Sequence, residues 1–164
     1  MSNADAETLI LDGKDLVEIP DAVFAMTRLT TLSVYKNRLT TLPAALARLT
    51  ALENLNVSVN ELSQLPAELG ALSRLHTLDL GHNRLTELPS ALAELSSLSQ
   101  YLYLHNNRLT TLPATLFARL GGLRYLNLSD NQLERLPPSL ESLVALEELR
   151  LDGNPLRELP SGIA

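Results

Sequence analysis

The stretch LTTLSVYKNRLTTLPAALARLTA, Leu29 to Ala51, decides how the chain is read, because the residues after it repeat it. LENLNVSVNELSQLPAELGALSR, residues 52–74, and LHTLDLGHNRLTELPSALAELSS, residues 75–97, fall on the same template, L-x-x-L-x-L-x-x-N-x-L-x-x-L-P-x-x-L-x-x-L-x-x. Its Asn returns at Asn37, Asn60, Asn83, Asn107, Asn131 and Asn154, at intervals of 23, 23, 24, 24 and 23. Its Pro returns at Pro20, Pro43, Pro66, Pro89, Pro113, Pro137 and Pro160. A unit of this size in unbroken tandem is the mark of a solenoid.

Within each unit, L-x-x-L-x-L is apolar at every second residue, as a half-buried strand requires, whereas L-P-x-x-L-x-x-L-x-x is spaced by threes, as a short helical or 3₁₀ return requires. No unit can bury its own Leu stripe, so neighbours must stack and share one core. The strands then lie parallel at ~4.8 Å, and seven of them make a sheet roughly 30 Å long. The helical side is the bulkier, which curves the stack with the strands inside. The expected fold is therefore α/β: a curved solenoid of about seven coils, with a parallel sheet on the concave face and short helical or 3₁₀ turns on the convex one.

The Asn needs its own reason, since an amide inside a Leu core is costly unless both ends are bonded. One Asn per coil, bonding the turn backbone of its own and the adjacent coil, satisfies the amide and the turn together. The Asn37 to Asn154 ladder is thus read as structural. The Pro, with its fixed φ, helps start the helical return.

By these residues the chain resembles the leucine-rich repeats. Units near 23 residues with a central Leu-Pro, as in LTTLPAALARLTAL and LTELPSALAELSSL, are similar to the Ras-group intracellular type. The resemblance runs over residues 6–164 and implies a curved protein-binding scaffold without catalysis of its own. Leucine-rich bacterial effectors also carry Leu-Pro, but their usual unit is about 20 residues, shorter than this one.

Bulk properties narrow the field. The chain has 164 residues, 45% of them hydrophobic and only 4% aromatic, so the core must be built from Leu. A net charge of −6 argues against a sequence-independent grip on nucleic acid or on an anionic membrane. There is no cysteine, which favours a reducing compartment such as the cytoplasm over the disulfide-rich extracellular one, with a secreted effector as the exception to keep in view. No apolar run approaches the ~20 residues that span a bilayer, and MSNADAET has no apolar signal core.

The ends depart from the pattern. Ser2-Asn3-Ala4 resembles a tag remnant, so residues 1–5 are set apart as a remnant or disordered start, and 6–164 is read as one leucine-rich repeat domain. Residues 6–28 form its N-terminal capping unit, with Lys14 where the ladder wants Asn, a place where a charge can reach water. Residues 146–164 read as a truncated C-terminal unit in which Leu156, Leu159 and Ile163 must cover the core alone. Its strand carries Glu147, Glu148, Arg150 and Asp152, charges that deter edge pairing.

With Leu, Asn and Pro assigned to the scaffold, the free slots of L-x-x-L-x-L-x-x-N point from the concave face to solvent. All four Tyr and all three His fall in those slots. Tyr brings large contact area at low entropic cost with a hydroxyl at its tip, which makes it an interface anchor. The plainer explanation is that Tyr suits strands and packs across them. The candidate partner-binding residues are Tyr35, Lys36, Asp79, His82, Tyr101, Tyr103, His105 and Tyr125. The partner expected is another protein, bound by a monomer.

Two units are one residue longer. In LSQYLYLHNN, Leu98 to Leu102 spans four residues instead of three, so the extra residue lies within Ser99 to Tyr101 and predicts either a bulge or a loosened end of the preceding turn. In PATLFARLGGL the extra residue accompanies Phe117, read as a packing residue of the return.

Other signals are set aside. His82 and His105 come from adjacent coils but lack Cys or further ligands, so no metal is expected. No GxGxxG, P-loop or nucleophile constellation is present, and neither a cofactor nor a catalytic residue is assigned. Asn56-Val57-Ser58 and Asn127-Leu128-Ser129 match the glycosylation acceptor but lie in concave strands. The resulting expectation is a non-catalytic protein-interaction module. The alternatives are a spacer or intramolecular cover within a longer protein, and a substrate-recognition domain of a bacterial effector.

Overall fold

The computed structural model describes residues 3–163. Among them, seven three-residue strands form a single parallel sheet in sequence order. They are β1 (Thr8–Ile10), β2 (Thr31–Ser33), β3 (Asn54–Asn56), β4 (Thr77–Asp79), β5 (Tyr101–Tyr103), β6 (Tyr125–Asn127) and β7 (Glu148–Arg150). The register aligns equivalent template positions, so Leu9, Leu32, Leu55, Leu78, Leu102, Leu126 and Leu149 form one row across the sheet. The inner members of that row are buried, while Leu9 and Leu149, with a neighbour on one side only, are half-buried. The fold is the expected leucine-rich solenoid.

The convex returns are 3₁₀ turns at Asp21–Ala25, Ala44–Arg48, Ala67–Ala71, Ser90–Glu94 and Pro138–Ser142. Each follows the template Pro, which takes an extended conformation at the cap position, φ −76° and ψ 152° at Pro43 for example. Its carbonyl accepts the N–H of the residue three further on, Val23 in the first return and Leu in the others, as in Leu46 to Pro43 at 3.1 Å. Pro can hold this site because the cap needs a carbonyl and no N–H.

The Asn ladder joins the coils. Asn83 accepts Leu62 N–H at 3.0 Å and donates to the carbonyls of Val57, Leu80 and Gly81 at 3.1–3.2 Å. Asn37, Asn60, Asn107, Asn131 and Asn154 likewise accept from the preceding coil and donate to both coils. Lys14, at the equivalent place in the first coil, is exposed and gives its backbone N–H to Asn37.

The residue before each ladder position has a left-handed backbone: Gly13, Lys36, Val59, His82, Asn106, Asp130 and Gly153, with φ between 52° and 74°. This bend carries the chain off the strand. Gly, Asn and Asp adopt it at little cost, whereas Val59 is a β-branched residue in a conformation that crowds its side chain.

Both longer units leave the sheet undisturbed. Thr77, Leu78 and Asp79 pair with Tyr101, Leu102 and Tyr103, so the extra residue before β5 is absorbed in the loop that enters the strand, ahead of the first paired residue. Phe117 is wholly buried, and its return runs through successive turns. At the start of the chain, Met1 and Ser2 lie outside the described residues, while Asn3–Asp5 forms a 3₁₀ turn and Asp5 pairs with Arg28 at 3.5 Å. At the far end Leu156 packs on the core and Leu159 is half-exposed; the side chain of Ile163 lies outside the described part.

Candidate functional site

The concave face is a grid whose rows are strands and whose columns are template positions. Strand alternation aims the residues flanking each central Leu out of the sheet, and parallel pairing sets equivalent residues of successive coils side by side. Tyr101 and Tyr103 therefore rise from β5 on the same face as Tyr125 of β6. Their rings form one cluster, with centroids 5.8 Å apart for Tyr101 and Tyr103, 5.6 Å for Tyr101 and Tyr125, and 5.2 Å for Tyr103 and Tyr125. His105, two residues beyond Tyr103, continues the path at 5.9 Å, and His82 meets His105 edge-on at 4.9 Å.

Five of the eight candidate residues are thus brought into one aromatic path over three coils, and Asp79 joins it as the neighbour of Tyr103 across the strands. Tyr35 and Lys36 do not join. They stand exposed two coils away on the second coil, where Tyr35 N–H bonds Asp12.

Gly81 lets this path close up. It occupies the column of His105 one coil earlier, and the absent side chain leaves room for the imidazole to lie against the backbone. Burial there lowers the His105 pKa below the ordinary 6.5, against the attraction of Asp79 and with repulsion from His82. His105 Nδ1 is buried with no hydrogen-bond partner among the described residues. Burial raises the Tyr103 pKa, helped by Tyr125 and Asp79.

Asp79 is half-buried, and desolvation lifts its pKa above 3.8 despite the opposing Gly81 N–H bond and the nearby His105, His82 and Ser58. Its Oδ1 accepts Gly81 N–H at 2.9 Å. The same brace recurs where Asn56 accepts Ser58 N–H at 2.9 Å and Asn127 accepts Ser129 N–H at 3.0 Å. The apparent glycosylation triplets are in structure the strand-exit brace of their coils. Sequence reasoning missed this use, although Asn-x-Ser, Asp-x-Gly and Asn-x-Ser at one template position was a visible signal.

Beside the Tyr pair lies a hollow of about 330 Å³, floored by short polar side chains including Thr31, Asn54, Asn56 and Thr77, and walled by Asp79, Tyr101 and Tyr103. The floor residues were in the free slots but had drawn no particular attention. A larger hollow, about 760 Å³, lies apart from this face, among residues such as Leu112, Leu136 and Pro138. Among the described residues, no group of three or more His, Cys, Asp or Glu is placed to hold a metal ion, and no helix is long and apolar enough to cross a membrane.

The leucine rich repeat family matches residues 6–62 and 100–156, and again 74–95, well over half of the chain. The chain belongs to the leucine-rich repeat family. Among solved structures, this leucine-rich repeat protein is similar to a leucine-rich repeat protein of Leptospira interrogans at 30% identity and TM-score 0.68, over 91% of this chain and 43% of that one. It is similar to a plant ice-binding protein at 28% identity and TM-score 0.73, over 90% and 49% of the two chains. An internalin from Listeria monocytogenes superposes with TM-score 0.82 at 24% identity, over 98% and 45%, a likeness of fold alone. The chain spans less than half the length of each of these three. A comparison with curated proteins finds no match.

Proposed function

We propose that this leucine-rich repeat chain is a non-catalytic protein-binding module that takes its partner on the concave face. The observation that carries the reading is the continuous run of rings from Tyr125 through Tyr101 and Tyr103 to His105 and His82. Rings that served sheet packing alone would gain most by being covered. Tyr101 instead keeps 43% of its surface exposed, and the cluster stands on the open face while Leu fills the core. Tyr anchors of this kind supply contact area with few rotors to freeze.

An interface of ordinary size, ~800 Å² per partner, would span four or five coils and so extend to Tyr35 and Lys36. The cysteine-free composition supports a meeting in a reducing compartment such as the cytoplasm.

The test is capture of binding proteins from source-cell lysate on the wild-type chain beside a Tyr103→Ala/Tyr125→Ala variant, whose fold is checked by circular dichroism. A partner held by the first should bind the second more weakly by ~2 kcal/mol or more. Equal affinity for a folded double variant would reject the reading.

A further inference from the structure

We propose that the hollow beside the tyrosines receives a basic side chain of the partner, a lysine ammonium or arginine guanidinium seated between the Asp79 carboxylate and the rings of Tyr101 and Tyr103. This rests on the protein-binding reading above and names the chemistry it recognises.

Three observations point to a cation. The first is that the charge of Asp79 exceeds what the scaffold needs. The strand-exit brace needs one oxygen acceptor, and in two other coils a neutral amide supplies it, Asn56 at 2.9 Å and Asn127 at 3.0 Å. Asp79 makes the same bond with a carboxylate that burial disfavours.

The second is that, among the described residues, this carboxylate has no Lys or Arg counter-ion. Among the described residues, the ion pairs are formed by Arg and lie elsewhere, many between successive coils, such as Arg84 with Glu61 and Arg124 with Glu147. The charged neighbours acting on Asp79 are His105 and His82, and burial favours the neutral form of His105. A partly desolvated acid without a Lys or Arg partner is the arrangement that gains most from one brought by a ligand.

The third is the wall. Tyr101 and Tyr103 are stacked, 13° from parallel, and both line the same hollow, so an incoming cation can meet an aromatic ring as well as the carboxylate. The rest of the lining is of short side chains such as Thr31 and Thr77 together with Leu32 and Leu55, and its largely apolar surface suits an aliphatic stem.

The experiment pans a library of random displayed peptides on the wild-type chain, on Asp79→Asn, on Tyr103→Ala and on Asp21→Asn. Asp21 lies in a convex turn, so its variant removes the same unit of charge away from the hollow. Asp79→Asn keeps the brace acceptor, as Asn56 and Asn127 do, and is expected to fold. The wild type should enrich peptides with Lys or Arg at one position, and replacing that residue by Gln should weaken binding about tenfold or more. Asp79→Asn should show the same loss and no longer distinguish the basic peptide from its Gln form, while Asp21→Asn behaves as wild type.

Enriched peptides without a shared basic residue, equal binding to wild type and Asp79→Asn, equal losses in both Asp variants, or no enrichment would each overturn the cation proposal. Peptides indifferent to Asp79→Asn but lost on Tyr103→Ala would leave the concave-face reading standing without it. Peptides indifferent to both variants would remove both.

Discussion

The imidazole of His105 occupies the space that a side chain on Gly81 would need: a Cβ on Gly81 would lie 2.9 Å from both ring nitrogens and closer still to Cε1. Gly81→Ala must therefore displace the ring. Because the obstacle is a half-exposed side chain and not backbone, the expected stability loss is about 1 kcal/mol, at the low end of overpacking costs. The imidazole resonances of His105 and His82 should shift together, since the rings meet at 4.9 Å. A stable variant with unmoved His resonances would refute the contact.

Asn83→Ala would orphan Leu62 N–H and the amide's share of three carbonyls, all buried. The expected loss is about 3 kcal/mol or more by urea unfolding, because buried polar groups left unpaired bear their full desolvation cost. Asn154, half-buried in the last coil, should cost markedly less on the same substitution. Equal losses would mean that the ladder acts coil by coil and gains nothing from its neighbours.

Val59 holds a φ of 54° that Asn106 and Asp130 adopt at equivalent places. Val59→Asn should raise stability by about 1 kcal/mol, the strain a branched residue bears in the left-handed region. The check is a higher urea midpoint at unchanged slope; an unchanged or lower midpoint would show that Val59 packing outweighs the strain.

His105 gives a pH dependence whose sign follows from its environment. Burial lowers its folded pKa below 6.5, with Asp79 and Asp130 opposing and His82 and Arg150 assisting. The unfolded chain then takes up the proton more readily, so this contribution to stability is complete above 6.5 and is lost as pH falls through the lower folded value. His105→Gln should flatten the change in unfolding free energy measured between about pH 7 and pH 5.

Asp79 acts in the opposite sense. Its folded pKa is raised by burial, so its contribution favours the fold below 3.8 and disappears as pH rises through the folded value, leaving a penalty at neutral pH. Asp79→Asn should therefore melt higher than wild type at neutral pH, and the advantage should vanish once the pH drops below 3.8. A lower melting point at neutral pH would mean that the carboxylate serves the scaffold after all.

The solenoid could be read from one dimension because its contacts are nearly one-dimensional. Leu55 meets its counterparts Leu32 and Leu78 at a separation of 23 residues on either side, so a period written along the chain is also the list of neighbours in space. The Asn ladder was legible for the same reason, an amide in a Leu stripe having few ways to be satisfied. The concave slots followed from strand alternation, and with them Tyr101, Tyr103, Tyr125 and His105. Their joining into one path, without Tyr35, was not legible. It depends on the loop before β5 absorbing the extra residue, on ring rotations across the strands, and on the bare backbone at Gly81 beneath His105. Nor could a string of letters show that the Asp79 carboxylate, doing the same bracing work as the neutral amides of Asn56 and Asn127, has no Lys or Arg beside it among the described residues. That is settled by the surrounding coils, because electrostatic pairing depends on distance and solvent exclusion rather than on order along the chain.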